Sequence, residues 1–314
     1  MNKKLLLIDG NALIHRAYHA YPSFLSYNGS PTNAVYGFAT LLQKAIQNFS
    51  PHYVVVCFDR PEPTFRKKLY TNYQIQRPAP EQNLISQFQL VRDFLDAAHI
   101  TRYELAGFEA DDIIGTISCH LQTKNIHVLI LTGDKDILQL VNEHVSVITP
   151  RKGLEDIVIY NEEAVEKRFN IKPNQIPDLK GLMGDPSDNY PGVAGIGPKT
   201  AATLINQFGS VENIYNNLDE VKNPKTKELL IKYKEDALMS KNLATILCDM
   251  KVELNIETCE FNGYGDDLKN FFEELKFKSL IPKFFPKISV AEQKKAEQKK
   301  TIEKKDPSDQ MGLF

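Results

Sequence analysis

Two periodicities divide the chain. Residues 4–9 (KLLLID), 53–59 (YVVVCFD) and His127–Thr132 are short, nearly unbroken apolar runs; the first two end in aspartate and the third leads into Gly133 and Asp134. Strands buried on both faces have this texture, because neither side of the pleat meets water. Between the runs the apolar spacing lengthens to that of helices, as over 83–98 and 109–123,. The alternation predicts an α/β fold with a mostly parallel sheet flanked by helices. Ligands of such sheets collect beyond the carboxyl ends of the strands, where these aspartates fall.

After about residue 150 the pattern becomes mainly helical. Val158–Tyr160 is expected to close the sheet, and helices are expected over 161–169, 177–183, 198–207 and 225–247, punctuated by Pro and Gly,. Residues 290–314 carry six lysines and five acids with few apolar residues and read as a solvated tail,. No apolar run approaches the ~20 residues of a membrane span. The run that follows Lys3 ends at once in Asp9-Gly10-Asn11, unlike a secretory signal,. The expected compartment is therefore the cytoplasm. Cysteines 57, 119, 248 and 259 show no metal-ligand spacing, so reduced thiols are expected, with neither disulfide nor zinc,.

The candidate chemistry lies in nine acids: Asp9, Asp59, Glu109, Asp111, Asp112, Asp134, Asp136, Asp185 and Asp188. Glu109 and Asp112 are three apart and share a helix face, with Asp111 to one side; Asp185 and Asp188 repeat the offset. Any one of them is accounted for as a cap or a loop residue. Nine converging on one edge of a sheet would repel one another, which predicts hard divalent cations, two Mg²⁺ or Mn²⁺, held by oxygen. With such ions no side-chain nucleophile is needed, and His15, His19 and His127 need no catalytic role.

Net charge is −2, from 38 basic and 40 acidic residues, which alone argues against a polyanion partner. Setting the nine acids aside, 38 basic residues face 31 acidic ones, and the remaining surface becomes attractive to phosphate,. Residues 60–77 concentrate this charge: Arg60, Arg66, Lys67, Lys68 and Arg77 stand against Glu62, with Phe65, Tyr70 and Tyr73 interleaved. Such a stretch suits a channel for a single nucleic-acid strand, or else an exposed helix whose aromatics return to the core. Residues 192–201 (GVAGIGPKTA) read as a tight glycine hairpin opening a helix, in which Gly195 and Gly197 let backbone N–H groups approach phosphate and Lys199 and Thr200 adjoin them,.

The strings LLLIDGNALIHRAYHAYP (5–22), VCFDRPEPTFRKKLYTNYQIQRPAP (56–80), GFEADDIIGTIS (107–118), LILTGDKDILQLV (129–141) and LMGDPSDNYPGVAGIGPKTA (182–201) resemble, in order and over roughly residues 4–285, the 5′ nuclease domain of bacterial DNA polymerase I. The wider family is that of flap endonucleases and 5′–3′ exonucleases. The resemblance implies a PIN-like fold with a helical arch at about 60–85 and a helix-hairpin-helix. It implies a catalytic part over 1–175, a duplex-gripping part over 176–288 and a flexible tail over 289–314. By the same resemblance Asp9, Glu109, Asp111 and Asp112 surround a first metal, Asp59 acts near it, and Asp134, Asp136, Asp185 and Asp188 form or support a second. Arg16, Tyr73 and Arg77 match residues that steer the scissile phosphate; Arg66, Lys67, Lys68, Gly195, Gly197, Lys199 and Thr200 fall where the family grips DNA. A potassium ion at the hairpin is a further family feature. One departure is Tyr73-Gln74 where the family has Tyr-Lys.

The sequence ends Gln310-Met311-Gly312-Leu313-Phe314, similar to the bacterial sliding-clamp-binding pentapeptide, with Gln310 at a pocket rim and Met311, Leu313 and Phe314 filling it,. The expected function is metal-dependent 5′–3′ exonuclease and 5′ flap endonuclease activity on DNA at nicks and single-strand/double-strand junctions, and on RNA primer strands. The protein is expected to act as a monomer, with no polymerase domain following. A PIN-like ribonuclease and a non-catalytic DNA-structure-binding factor that recruits the clamp are the alternatives.

Overall fold

The unbroken apolar runs form the middle of one sheet. The computed structural model describes residues 3–22, 26–151 and 156–286. Its strands are β1 (Lys3–Asp9), a small hairpin of β2 (Ser26–Tyr27) and β3 (Ser30–Pro31), β4 (Tyr53–Phe58), β5 (Thr101–Glu104), β6 (Ile126–Leu131), β7 (Val145–Pro150) and β8 (Ile157–Tyr160). Six of them make a sheet of order β5-β4-β1-β6-β7-β8. All neighbours in it run parallel except the antiparallel pair β7 and β8.

Alternation along the three central strands feeds two cores. Leu5, Leu7, Val55, Cys57, Val128 and Ile130 point to one face, while Leu6, Ile8, Val54, Val56, Phe58, Leu129 and Leu131 point to the other. Each such side chain contributes about 1.5–3 kcal/mol on leaving water, which fixes the register against one-residue slips. Strands β5 and β7 lack this texture and were not expected. The TRYE of β5 is half-buried at the sheet edge, and VSVITP of β7 alternates toward the antiparallel side.

Helices Gly10–Ala20, Asn33–Phe49 and Gln82–Ala97 cover the Leu6 face; Ala110–Leu121, Ile176–Met183, Pro198–Phe208 and Lys234–Ala244 build on the Leu5 face. The helix expected over 225–247 is two, Pro224–Lys232 and Lys234–Ala244, because Tyr233 (φ −110°, ψ 27°) leaves helical geometry and its N–H ends the first on the Leu229 carbonyl. One apolar cluster runs from Leu5 through Ile205 to Leu230 and Cys259, so the core is continuous across the expected boundary near residue 175. No helix among the described residues is long and apolar enough to cross a membrane.

One expectation needs correction, that of four reduced thiols, and the arch expected at about 60–85 takes a specific form: after a short helix, Phe65–Leu69, the chain crosses above the acidic edge of the sheet and its backbone N–H groups bond to the body at two points. There Phe65 N–H donates to the Gly107 carbonyl (2.9 Å) and Gln74 N–H to that of Asp188 (2.8 Å). The segment's aromatics and Arg66 find partners inside, which outweighs the hydration of its lysines. Cys119 and Cys248 are joined as a disulfide with a Cα separation of 5.9 Å, while Cys57 and Cys259 are free and buried. The pairing was invisible because the two cysteines are 129 residues apart and carry no local signature.

The turn 184–192 carries Asp185 and Asp188 and is closed by paired backbone bonds between Asp185 and Tyr190 (2.9 and 3.1 Å). Gly184 and Gly192 hold positive φ, 70° and 58°, where their backbones touch. A Cβ on Gly192 would lie 2.1 Å from the Gly184 nitrogen. Overpacking against backbone typically costs about 1–3 kcal/mol, and the left-handed φ adds strain. Gly192→Ala is therefore expected to lower the urea midpoint by that order; an unchanged midpoint would show that the turn has room.

Candidate metal and nucleic-acid site

The parallel strands bring three acids to one edge. Asp9 is the last residue of β1, Asp59 follows β4, and Asp134 lies just past β6. Asp9 caps the next helix, its Oδ1 accepting from Ala12 N–H (2.9 Å), and its Oδ2 accepts from the Thr132 hydroxyl (2.8 Å). The Thr132 oxygen in turn accepts from the Asp134 backbone N–H (3.0 Å), so one hydroxyl ties the Asp9 carboxylate to the backbone of Asp134. Asp59 accepts from Ala110 N–H (2.7 Å) at the start of helix Ala110–Leu121, where Glu109 and Asp112 form a reciprocal capping box. Local capping thus explains where these acids sit, and the sheet explains why they meet.

A cavity of about 780 Å³ opens here, lined by Asp9, Asp59, Glu109, Asp111, Asp134, Asp136 and Asp188, with Lys67, Tyr73 and Arg77 from the 60–80 segment above them. Burial pushes Asp9 up to about 7, with Asp59 and Asp134 adding repulsion. Glu109 also rises to about 7 through burial, Arg66 opposing and Asp59 assisting. Asp136 reaches about 7 for the same first reason, reinforced by Asp134. Asp59 and Asp111 are likewise raised by burial. Carboxylates kept out of water beside one another favour the protonated form unless a cation joins them.

Two predicted residues have other roles. Asp112 is fully buried and faces away from the cavity, forming a bidentate pair with Arg66 (2.6 and 2.8 Å) while also accepting from Leu247 N–H (3.0 Å). Its oxygens are thereby occupied within the protein, whereas the resemblance places it around the first metal. Arg66, expected on DNA, is 2% exposed and donates its remaining hydrogens to Glu109 and to the carbonyls of Leu243 and Thr245. Planar, bidentate pairing satisfies both charges inside the protein, which solvation of an exposed helix could not outbid. Sequence alone could not single out Arg66 among five similar cations.

Tyr73 is also buried rather than presented for base stacking. Its hydroxyl lies 3.2 Å from both Glu109 Oε2 and Asp188 Oδ2, and its ring stacks on Tyr190. Gln74 and Arg77 donate to Asp188 Oδ1 at 3.2 and 2.8 Å, and Arg77 keeps half its side chain in solvent. Lys67 lines the cavity and donates to the Tyr73 carbonyl (2.6 Å); Lys68 is exposed. Arg16 is not among the cavity residues and donates to the Arg151 carbonyl (2.5 Å).

Asp136, Asp185 and Asp188 each offer an oxygen within 4.8 Å of the others, the one such group among the described residues. Lys180 went unrecognised in the sequence. Its Nζ lies 2.7 Å from Asp136 Oδ1 and also pairs with Asp185. Burial works against ionisation of Asp185, but Lys180 and Ser187 outweigh it and hold the carboxyl below its ordinary range. Beside this group the Tyr190 hydroxyl is buried without a hydrogen-bond partner. An orphaned hydroxyl among carboxylates fits a hydrated hard cation, whose waters would satisfy it.

The hairpin residues lie apart from the cavity. Gly195 (φ 93°) and Gly197 are exposed, Gly197 caps helix Pro198–Phe208, and Lys199 and Thr200 stand exposed on its first turn. Gln310, Met311, Leu313 and Phe314 lie outside the described residues.

The family description "5′-3′ exonuclease, N-terminal resolvase-like domain" matches residues 4–170, and "5′-3′ exonuclease, C-terminal SAM fold" matches residues 171–267. DNA polymerase I of Bacillus subtilis is 41% identical over 292 residues, covering 93% of this chain and 33% of that protein. The chain thus spans about a third of the length of the polymerase relatives it matches. A 5′-3′ exonuclease of Aquifex aeolicus is 38% identical over 89% of this chain and 94% of its own length. In fold, the chain is similar to bacteriophage T5 D15 flap endonuclease in complex with DNA and metal ions, with a TM-score of 0.64 at 22% identity over 88% of this chain and 98% of that one. Its parallel sheet and helical second part, matched across nearly the whole described length, place this chain in the 5′-3′ exonuclease family.

Proposed function

We propose that the chain is a divalent-cation-dependent 5′–3′ exonuclease and 5′ flap endonuclease that hydrolyses DNA phosphodiesters. The observation that carries this is the meeting of Asp9, Asp59, Glu109, Asp111, Asp134, Asp136 and Asp188 in one cavity, beneath the basic segment 60–80. The Aquifex relative, matched over nearly its whole length, supports the reaction, and the T5 neighbour supports DNA and metal ions as its requirements.

The proposed arrangement has two Mg²⁺ or Mn²⁺. One would be held among Asp9, Asp59, Glu109, Asp111 and Asp134, the other by Asp136, Asp185 and Asp188. Bound there, such ions would supply Lewis-acid stabilisation of the charge that develops on the phosphate during hydrolysis. The chain's own groups do the rest. Arg77, half in solvent and anchored on Asp188, offers donors to a phosphate at the cavity mouth, as does Lys67. Tyr73 spaces the two acid groups through its hydroxyl. Gln74 brings hydrogen bonding without charge where the family has an ammonium, leaving phosphate steering to Lys67 and Arg77. Gly195, Gly197, Lys199 and Thr200 would hold duplex phosphates through exposed N–H groups, independent of sequence. In this scheme residues 1–175 cut and 176–288 grip the duplex, and the Gln310–Phe314 segment docks on a sliding clamp.

A 5′-labelled flap incubated with Mg²⁺, or with EDTA, tests the reading: cleavage is expected only with the metal. Asp134→Asn should lower cleavage by orders of magnitude while flap binding survives; undiminished cleavage would refute the metal assignment. Stability should carry the same mark. Asp9, Glu109 and Asp136 titrate near 7 when folded and near 4 when unfolded, so they bind protons more tightly in the native state,. Their contribution is present at low pH and is lost as pH rises from about 4 through about 7. In EDTA the melting temperature should fall from about pH 5 to about pH 8. Mg²⁺ should raise it far more at the higher pH; an equal rise at both would contradict cation relief of buried carboxylates. Deleting residues 310–314 should weaken clamp binding with flap cleavage unchanged, and equal clamp affinity would end that part of the proposal.

A further inference from the structure

The two groups of acids differ in a way the family match does not explain. Among the described residues no lysine or arginine forms an ion pair with Asp9, Asp59, Asp111 or Asp134, and Glu109 meets only Arg66, at 3.3 Å, whose guanidinium is already paired with Asp112. Asp136 and Asp185 share Lys180, and Asp188 holds Arg77. Lys180 is fixed from below by helix Ile176–Met183, whose last turns it occupies. Its side chain is 17% exposed, so water does little to dilute its charge,. Its ammonium touches two of the three carboxylates that approach within 4.8 Å of one another. A dication entering that trio would meet a like charge within a few ångströms, and it would have to draw Asp136 and Asp185 away from a partner they already possess.

We propose that Lys180 is an internal counter-cation that keeps the second site weak in the free protein, so that the two cation sites fill in order. The group around Asp9 takes its ion first, and the group around Asp136 takes one only when further negative charge, such as a nucleic-acid phosphate, offsets the ammonium. This rests on the metal reading of the preceding subsection. Lys180 acts here through Asp136 and Asp185 and is a positioning residue. A purely structural role makes the opposite prediction: if Lys180 merely held the two carboxylates in place, removing it would loosen them and weaken binding.

The test is Mn²⁺ titration of the full chain without DNA, free Mn²⁺ being counted by electron paramagnetic resonance. Wild type should show one tight and one weak site. Lys180→Met should tighten the weak site by about ten-fold or more while leaving the first unchanged, and Lys180→Arg should behave as wild type. Lys180→Gln is titrated alongside, with circular dichroism reporting the fold of each variant, so that the answer does not hang on one protein. A second site that is unchanged or weakened in folded Lys180→Met or Lys180→Gln overturns the proposal. Asp134→Asn separates this from the parent reading. If it removes the tight site while the Lys180 variants leave the weak one untouched, Lys180 alone is misassigned. If wild type takes up no Mn²⁺, both readings fall.

Discussion

Carboxylates withdrawn from water beside one another are unstable as anions, and this constraint organises the rest of the molecule. The parallel sheet fixes Asp9, Asp59 and Asp134 at neighbouring strand ends, and the first turn of helix Ala110–Leu121 adds Glu109 and Asp111. The protein answers the repulsion in several ways. Thr132 and backbone N–H groups bond the acids individually, Arg66 neutralises Asp112 inside the core, and Lys180 and Arg77 attend the acids of the 184–192 turn. What remains uncompensated faces the cavity.

The central strands were legible because burial on both faces leaves no polar positions in them, and the acids were legible because they end those strands. Where each acid directs its oxygens was not. Asp111 and Asp112 are adjacent in sequence, yet helical geometry turns one to the cavity and the other to Arg66. Nothing in GFEADDIIG ranks them. Strand β5 hid because an edge strand needs little apolar sequence, and the break at Tyr233 hid because a single residue leaving helical geometry has no composition signal.

The 60–80 segment shows the same limit in another form. Its alternation of cations and aromatics suits either a surface that stacks on bases or a strip that packs inward. Here Arg66 and Tyr73 turn inward while Lys68 and Arg77 face out. Charge count could not separate them, since the deciding term is the availability of Asp112, Glu109 and Asp188 as buried partners, each distant in sequence.

The apolar cluster that joins β1 to Leu230 and Cys259 bears on how this architecture can be modified. A seam through residue 175 would bare Leu179, Leu182, Ala201 and Ile205 on one piece and their sheet-side neighbours on the other. The hairpin-bearing part therefore cannot be exchanged as a detachable module. It shares one core with the sheet, and Ala201 and Ile205 pack in the same cluster as Ala110 and Ile113 of the helix that presents Glu109 and Asp111.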